Sequence, residues 1–502
     1  MKKNGMLLHI SSLPSDFGIG DFGPNAYQFV DYLNDKKFCY WQILPLYQPG
    51  YGNSPYNPVS AFALNPYLIS PELLYEDGLI DLPDMEEAKL PSSNQIPYEA
   101  VYRLKDNLLK KAANNYLSDI EIYEYIESNA FYLKPYLAYL TLCKLYGDDD
   151  WHNFRPEHRH YSDKLYDTLF KNYGSQILRM ASIQALAKDQ LLRLKDYMNS
   201  QGIQLIGDMP LYLSYHSADV WANQHLFDLD ENGNRLNVAG VPPDAFSQDG
   251  QLWGNPIYKW DKMKEDGFQL FINRIKNALN YLDKLRLDHF IGYINFWCIP
   301  CARDEKKGEP ILPENALKGE WKKAAPEDFF PVIMNTFSPE VFIVEDLGIL
   351  NDEVCYYRDY YKLPGMIILQ FCFEEQVPEI RKFPPERYIY TGTHDNPTTQ
   401  EWYANLSDDS PSKINLLRFI NEHPLLFSGL GLETEEDIKH SIHLIMCIIA
   451  EASGCQNVVL PVQDILGLDA SGRMNVPGTA LGNWQWRLES FDDLFSTSLP
   501  WE

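Results

Sequence analysis

The most constraining feature of this sequence is a series of short apolar segments that each run directly into a carboxylate. Acidic residues are poor strand formers, so each acid marks the point where an apolar strand ends. The segments are IQLIGD at Asp208, LRLD at Asp288, FIVED at Glu345 and Asp346, YIYTGTHD at Asp395, and VVLPVQD at Asp464. The series predicts parallel strands whose C-terminal ends converge on one acid-lined pocket. A (β/α)8 barrel has this geometry, and paired carboxylates at its rim are typical of glycoside chemistry.

Eight strand candidates follow one another along the chain, all short, apolar on both faces and rich in aliphatic or aromatic residues. They are MLLHIS (6–11), CYWQILPL (39–46), IQLIGDMPLYL (203–213), KLRLDHF (284–290), VFIVEDL (341–347), GMIILQFCF (365–373), RYIYTGT (387–393) and NVVLPV (457–462). Strands of this kind are typical of a parallel sheet that is covered on both sides. Helical patterns lie between them at 25–36, 268–282 and 434–452, the last with a capping box formed by Thr434 and Asp437. The alternation predicts an α/β protein, a TIM barrel of right-handed βα units.

Uneven strand spacing predicts insertions into a single catalytic barrel that spans residues 1–502. Residues 70–176 lie between the second and third strands, have mostly helical patterns, and are predicted to form an inserted helical subdomain. Residues 214–262 are rich in Gly, Pro, Asn and Asp, with little periodicity. Long loops in compact domains are usually functional, so this segment is predicted to be a loop subdomain that carries an active-site lid.

Charge and composition exclude several classes of protein. The formal net charge is −27 and there is no basic patch, so nucleic acid would be repelled. No apolar stretch reaches the roughly 18–20 residues of a membrane span, and the N-terminus lacks an apolar signal-peptide region. We therefore expect a cytoplasmic protein that does not bind membranes. Aromatic residues make up 14% of the chain, which fits either a large core or stacking on sugar rings.

Two motifs raise alternatives that we consider weaker. Cys298 and Cys301 form a CxxC, but no second pair has the spacing of a zinc site, and a redox role is a minor alternative. We expect no metal and no cofactor. The sequence GIGDFG (18–23) satisfies GxGxxG, but Pro14, Ser15 and Asp16 lie between it and the first strand, and the second strand ends without an acid for a ribose. We interpret it as a flexible rim loop.

Two of the strand ends offer acids suited to glycosyl transfer. Arg286 and Asp288 share one face of a strand, because side chains alternate, and the arginine can keep the carboxylate ionised. Glu345 and Asp346 face opposite sides, so only one of them points into the barrel mouth. Glu345 follows the apolar FIV and could have a raised pKa suited to a proton donor. Taken alone, Arg286 and Asp288 could equally form a structural ion pair inside the barrel, and Glu345 and Asp346 are ambiguous.

The remaining polar candidates lie in loops. His394 and Asp395 follow a tyrosine-rich strand in TGTHDN, and Tyr51 and Tyr56 follow the second strand in GYGNSPYNP (50–58). The lid segment VAGVPPDAFSQDGQLWGNP (238–256) mixes polar and aromatic side chains, as a sugar-binding lid would. Its candidate residues are Asp244, Phe246, Gln251, Trp253 and Asn255.

These motifs resemble the 4-α-glucanotransferases called amylomaltase or disproportionating enzyme, which belong to the α-amylase clan. The resemblance runs nearly end to end. It includes SSLPSDFGIGDFG, GYGNSPYNPVSAFALNP, GDMPLYL, SADVWAN, VAGVPPDAFS, GQLWGNP, RLDHF, VEDLG, LPGM, YTGTHDN and RMNVPGTALGNWQWRL. It implies a barrel with insertions and no separate C-terminal β-domain. Two departures, Ile291 and Ala245, stand where many members have Arg and Tyr, and could alter acceptor or chain-length preference.

The resemblance also implies roles for individual residues. Asp288 is implied as nucleophile, Glu345 as general acid/base and Asp395 as stabiliser of the transition state. The residues implied to line the donor subsite are Tyr56, Asp208, Arg286, His289 and His394, and the lid is implied to close over the acceptor.

We therefore predict a retaining transferase that moves segments of α-1,4-glucan, such as maltodextrin or starch, to glucose or a second glucan. An α-glucan hydrolase with the same residues, and a non-catalytic glucan-binding protein, remain alternatives. Chain-length preference, cyclisation and oligomeric state are left open.

Overall fold

Eight parallel strands curl into a closed barrel. The computed structural model describes residues 2–243, 249–304, 310–348 and 350–499. The barrel strands, first to eighth, are Lys3–Leu7, Tyr40–Gln42, Gln204–Met209, Lys284–Leu287, Phe342–Val344, Met366–Ile368, Tyr388–Tyr390 and Asn457–Pro461. Each pairs with its neighbours in chain order, the eighth pairs with the first, and a parallel bridge from Val344 to Gly365 closes the ring between the fifth and sixth. The predicted (β/α)8 barrel and its eight strands are confirmed.

Amphipathic helices cover the outside of the barrel. The principal ones are Pro24–Asp35, Asp163–Ser200, Gln269–Leu279, Pro326–Thr336, Asp352–Tyr360, Thr399–Ala404, Pro411–Glu422 and Glu435–Ala452. The three helices predicted from periodicity are among them, and Thr434 and Asp437 form the predicted capping box. The strands are buried because helices pack against one side and barrel side chains fill the other, with Trp41, Ile206 and Val459 fully shielded from solvent.

The segment between the second and third strands is helical. Its helices are Pro71–Glu76, Leu82–Glu87, Tyr98–Tyr116, Asp119–Ser128 and Ala130–Tyr146. A buried ion pair connects this insertion to the barrel, with Lys105 Nζ lying 3.4 Å from Asp21 Oδ2 and donating to the carbonyls of Tyr67 and Ile69 at 2.7 and 2.9 Å. Whether residues 70–176 fold as a subdomain of their own stays a prediction.

The GIGDFG loop is not a flexible rim loop, because all six of its residues are buried. A Cβ at Gly20 would lie 2.1 Å from the Ile10 carbonyl oxygen, so only glycine allows this approach. Asp21 in the same loop accepts the Lys105 ion pair. The glycines therefore serve packing between the first strand and the helical insertion.

A small antiparallel sheet stands above the barrel, which the sequence did not predict. Its four strands, in sheet order, are Glu320–Lys323, Asn295–Pro300, Asn237–Val241 and Gln251–Pro256. Glycine and proline interrupt the alternating pattern that would have indicated strands. The third and fourth of these strands together carry most of the described part of the predicted lid, so both ends of the lid segment belong to this sheet.

Apart from the 3₁₀ turns, the remaining described elements are short α-helices and strands. They are the helices Ala218–Ala222, Trp260–Glu265, Leu369–Cys372, Val462–Ile465 and Asp492–Ser496 and the paired strands Ala302–Arg303 and Pro310–Ile311. Beyond Pro461 the described residues contain no strand, only an isolated bridge at Trp486. No helix in the described part of the chain is both long and apolar enough to cross a membrane.

Candidate active site

Arg286 lies at the centre of the barrel mouth and binds two carboxylates. Its Nη1 donates to Asp208 Oδ2 at 2.6 Å and to Asp288 Oδ1 at 2.9 Å. Asp208 and Arg286 are register partners on the third and fourth strands, and Asp288 follows on the same face as Arg286. The strand-end positions predicted from sequence therefore do bring these three side chains together.

Burial and charge act against each other in this group. Burial raises the pKa of Asp208 to about 6, with Arg286 opposing the rise and Asp288 adding to it. Burial alone would lower the pKa of Arg286, but the charges of Asp208 and Asp288 outweigh it and hold that pKa well above its ordinary value. The guanidinium is thus a fixed positive charge beside Asp288.

Glu345 follows the fifth strand, next to the strand that carries Asp288. Its Oε2 accepts from the backbone N–H of His289 at 2.8 Å, and its Oε1 accepts from the N–H of Leu347 at 3.1 Å. Burial raises its pKa to about 8, against the opposing charge of Arg286, and the negative charge of Asp288 adds to the rise. Glu345 is therefore a carboxyl group that keeps its proton at neutral pH.

His289 has a left-handed backbone, with φ of 49°. This is uncommon for a residue with a Cβ, and such conformations are concentrated at functional sites. Burial lowers the pKa of its ring to about 4, so the imidazole is neutral at pH 7.

Asp346 points away from Glu345 into a separate network, as strand alternation predicts. It accepts from Arg358 and Arg387 at 2.8 Å each and from the backbone N–H of Met366 at 2.8 Å. Met366 begins the sixth strand, Arg387 precedes the seventh, and Arg358 lies in the helix Asp352–Tyr360, so these partners tie the end of the fifth strand to the elements beside it. Asp346 is a structural acid, which leaves Glu345 at the mouth.

Asp395 follows the seventh strand and is held at both oxygens. Asn475 Nδ2 donates to Oδ1 at 2.6 Å, and His394 Nε2 lies 3.3 Å from Oδ2. Burial alone would raise the pKa of Asp395, but the charge and hydrogen bond of His394 and the bond from Asn475 outweigh it and lower the pKa below its ordinary value. Asp395 is therefore ionised.

Tyr56 lies between Asp208 and His394 and contacts both. Its hydroxyl donates to Asp208 Oδ2 at 2.8 Å, and its ring stacks on His394 at a centroid distance of 5.1 Å. The ring of Trp484 lies 5.6 Å from that of Tyr56 and 5.9 Å from that of His394. These rings form an aromatic wall beside the acids.

Asp464 does not join the other acids. It is 2% exposed, and its two oxygens accept from the Thr391 hydroxyl and the Thr399 N–H. It therefore fixes the loop after the seventh strand to the eighth. The expectation that acids from five strands share one pocket is corrected to four strands.

Of the described lid residues, Trp253 contacts His289 and Gln251 contacts Trp253, whereas Asn255 is bonded to the loop after the third strand. The Trp253 ring meets the His289 ring edge to face at 4.8 Å, and Gln251 Oε1 accepts from Trp253 Nε1 at 3.2 Å. Asn255 Nδ2 donates to the carbonyl of Leu213 at 2.9 Å, so its amide anchors the small sheet to the loop after the third strand. The predicted lid residues Asp244 and Phe246 lie outside the described residues.

Comparison with known proteins gives the family of this chain. A family model described as 4-alpha-glucanotransferase matches residues 8–493. The chain belongs to this family. The 4-alpha-glucanotransferase of Aquifex aeolicus is 36% identical over 97% of this chain and 96% of its own length, and the chloroplastic/amyloplastic enzyme of Solanum tuberosum is 34% identical over 98% and 84%. The structure of amylomaltase from Streptococcus agalactiae in complex with acarbose superposes with a TM-score of 0.88, at 31% identity over 98% of this chain and 96% of that one.

The predicted activity, a 4-alpha-glucanotransferase related to amylomaltase and disproportionating enzyme, is thereby confirmed at the level of the family. The hydrolase and the binding protein receive no support. The residue roles are not tested by these comparisons and are taken up as proposals below.

Sequence reasoning missed residues of the transferase that support the acids. Asn475 and Trp484 lie in RMNVPGTALGNWQWRL, a motif quoted above without any residue being singled out. The signal was present as polar and aromatic residues within one motif, but contacts between distant loops leave no periodicity to detect.

Metal-binding groups of three or more His, Cys, Asp or Glu side chains are absent from the part of the transferase that the structure describes. Burial raises the pKa of both Cys298 and Cys301, so their thiols are poor ligands and poor nucleophiles at neutral pH. All eight cysteines are free thiols. The expectation of no metal and no cofactor stays a prediction.

Proposed function

We propose that the transferase cleaves an α-1,4-glucan and passes the released segment to the 4-hydroxyl of glucose or a second glucan, with retention at the anomeric carbon. Asp288 acts as nucleophile, Glu345 as general acid and base, and Asp395 as the carboxylate that stabilises the transition state. The supporting observation is a pair of unlike carboxyl groups on adjacent strands, one in an ion pair with Arg286 and one kept protonated by burial. Environments that separate two carboxyl groups in this way assign the acid and the nucleophile.

The chemistry proceeds in two displacements. Asp288 attacks the anomeric carbon while Glu345 gives its proton to the glycosidic oxygen, so the leaving sugar departs and a glycosyl ester forms on Asp288. Glu345 then takes the proton of the acceptor hydroxyl, which attacks the same carbon and releases Asp288. Two inversions give retention, and for this we expect the two carboxyl groups to lie about 5–5.5 Å apart in a sugar-bound structure.

The donor sugar is proposed to complete the hydrogen bonds of the buried mouth. Asp208 Oδ1, Arg286 Nε and His289 Nε2 are buried and have no hydrogen-bond partner among the described residues. Buried polar atoms are normally paired, and sugar hydroxyls can both donate and accept. Tyr56 and His394 supply the aromatic wall for the apolar face of the ring.

The acceptor is proposed to bind on the opposite side, under the lid. Trp253 touches His289, the residue that follows the proposed nucleophile, and this contact supports placing Trp253 on the acceptor side of the bond that reacts. Asp244, Phe246, Gln251 and Asn255 belong to the same segment and are proposed to shape this side. A bound acceptor competes with water only when the site holds it in position and excludes water.

Incubation with maltotriose tests the activity. We expect a ladder of longer and shorter glucans with little free reducing sugar gained, whereas shorter sugars alone would indicate hydrolysis and no change would indicate binding. Asp288→Asn should abolish the ladder. Asp283→Asn is the matched control, because Asp283 precedes the same strand at the opposite end of the barrel and should leave the ladder intact.

We also propose that the transferase works in the cytoplasm without nucleic acid or membrane partners. Eight free thiols and no disulfide in the described chain are usual for a reducing compartment. Detection in the membrane fraction after cell lysis would contradict this.

A further inference from the structure

Arg473 lies beyond the eighth strand and has no place in the chemistry proposed above. Its guanidinium nevertheless makes three directed contacts at the barrel mouth. Nη1 donates to Glu401 Oε1 at 3.0 Å, Nη2 to the backbone carbonyl of Asp395 at 3.4 Å, and Nε to the backbone carbonyl of Asn475 at 3.0 Å. Arg473 and Glu401 are only 20% and 15% exposed.

These contacts join two loops that meet only in space. Asp395 belongs to the loop after the seventh strand. Asn475 lies 14 residues after Pro461, the last residue of the eighth strand. The Asn475 amide donates to Asp395 Oδ1 at 2.6 Å. One rigid guanidinium therefore holds the backbones of both partners in this short hydrogen bond.

The ion pair with Glu401 fixes the guanidinium itself. Glu401 lies in the helix Thr399–Ala404, which starts four residues after Asp395. A planar fork of donors can bind a carboxylate and two carbonyls at once, whereas a lysine ammonium on a flexible stem cannot reproduce this arrangement.

We propose that Arg473 is a positioning residue for Asp395, acting through Asn475 and held in place by Glu401. The inference rests on the proposed role of Asp395 in the transition state. Arg473 touches neither Asp288 nor Glu345 by any described contact, so its loss disturbs the stabilising carboxylate and leaves the nucleophile and the acid in place.

The effect is expected on kcat rather than on KM. A misplacement of about 1 Å can cost about 100-fold in rate, so we expect Arg473→Ala to lower kcat for maltotriose about 10- to 100-fold with little change in KM. Arg473→Lys should recover only part of this loss. Arg193→Ala is the control, because it removes an arginine from a two-bonded pair with Asp77 in the helical insertion and should leave kcat unchanged.

A double-mutant cycle separates positioning from a general loss of structure. With α-maltosyl fluoride as donor, the effect of Arg473→Ala is measured in the wild-type and in the Asp395→Asn background. If Arg473 acts through Asp395, the loss of kcat caused by Arg473→Ala in the Asp395→Asn background should shrink to about 3-fold or less. If the fold losses of Arg473→Ala and Asp395→Asn multiply in the double variant, the inference is overturned.

Two further results keep the test decisive. Should Arg473→Ala unfold at a lower temperature than the wild type, the same cycle is run with Glu401→Gln, which keeps the side-chain volume and loses the charge. Wild-type kcat in both Arg473→Lys and Glu401→Gln would overturn the inference. If instead Asp395→Asn alone has wild-type activity, the proposed role of Asp395 has failed rather than the positioning by Arg473.

Discussion

Glu345 allows the most quantitative prediction about this transferase, because burial raises its pKa from 4.5 to about 8. At pH 7, a carboxyl group with a pKa of about 8 is protonated in about 90% of molecules, against about 0.3% for one with a pKa of 4.5. The fold thus supplies about 300 times more of the acid form at neutral pH. The raised pKa is tested by measuring activity as a function of pH with two donor substrates, one whose leaving group needs a proton and one whose leaving group does not.

We expect kcat/KM for maltotriose to fall above about pH 8, because the leaving sugar requires the proton of Glu345. With α-maltosyl fluoride the fluoride ion leaves with little protonation, so the same fall should be absent. A common fall for both donors, or a fall for maltotriose already near pH 5, would refute the assignment of Glu345 as the acid.

Three other results are expected. The pKa of Glu345 is higher in the folded than in the unfolded protein, so the free energy of unfolding of the wild type, relative to Glu345→Gln, should fall as pH rises from about 4.5 to about 8. The expected slope is up to about 1.4 kcal/mol per pH unit. Urea unfolding that shows no such trend would contradict the raised pKa. Phe246→Ala or Trp253→Ala should raise the ratio of hydrolysis to transfer from maltotriose. Trp321→Ala is the control, because Trp321 lies on the far edge of the small sheet, and it should leave this ratio unchanged. An unchanged ratio in both lid variants would place the acceptor elsewhere. EDTA should leave activity intact, and a loss restored by one metal ion would reopen the question of Cys298 and Cys301.

The barrel could be predicted because its signals are local. Each strand is a short apolar run, and the acid that follows it marks the C-terminal end. Alternation along the fourth strand placed Arg286 and Asp288 on one face, and alternation after the fifth separated Glu345 from Asp346. The structure bears out both arrangements.

The parts that escaped prediction depend on contacts between distant segments. Asn475 meets Asp395 across 80 positions of chain, and Lys105 meets Asp21 across 84. Neither pair lies on a periodic pattern, so spacing gives no indication of it. The acid of the eighth strand, Asp464, ends an apolar run like the others, yet the threonines that take up both its oxygens could not be foreseen from its own segment.

The central claim is that Asp288 forms a covalent glycosyl intermediate that Glu345 helps to make and to resolve. Glu345→Gln treated with α-maltosyl fluoride tests it directly, because the fluoride leaves without the acid while the ester lacks the base that would activate an acceptor. Mass spectrometry of the digested protein should find a maltosyl group on the peptide that contains Asp288, and Asp288→Asn treated in the same way should carry none. A maltosyl group on another residue, or consumption of the fluoride at the wild-type rate by Asp288→Asn, would contradict the account.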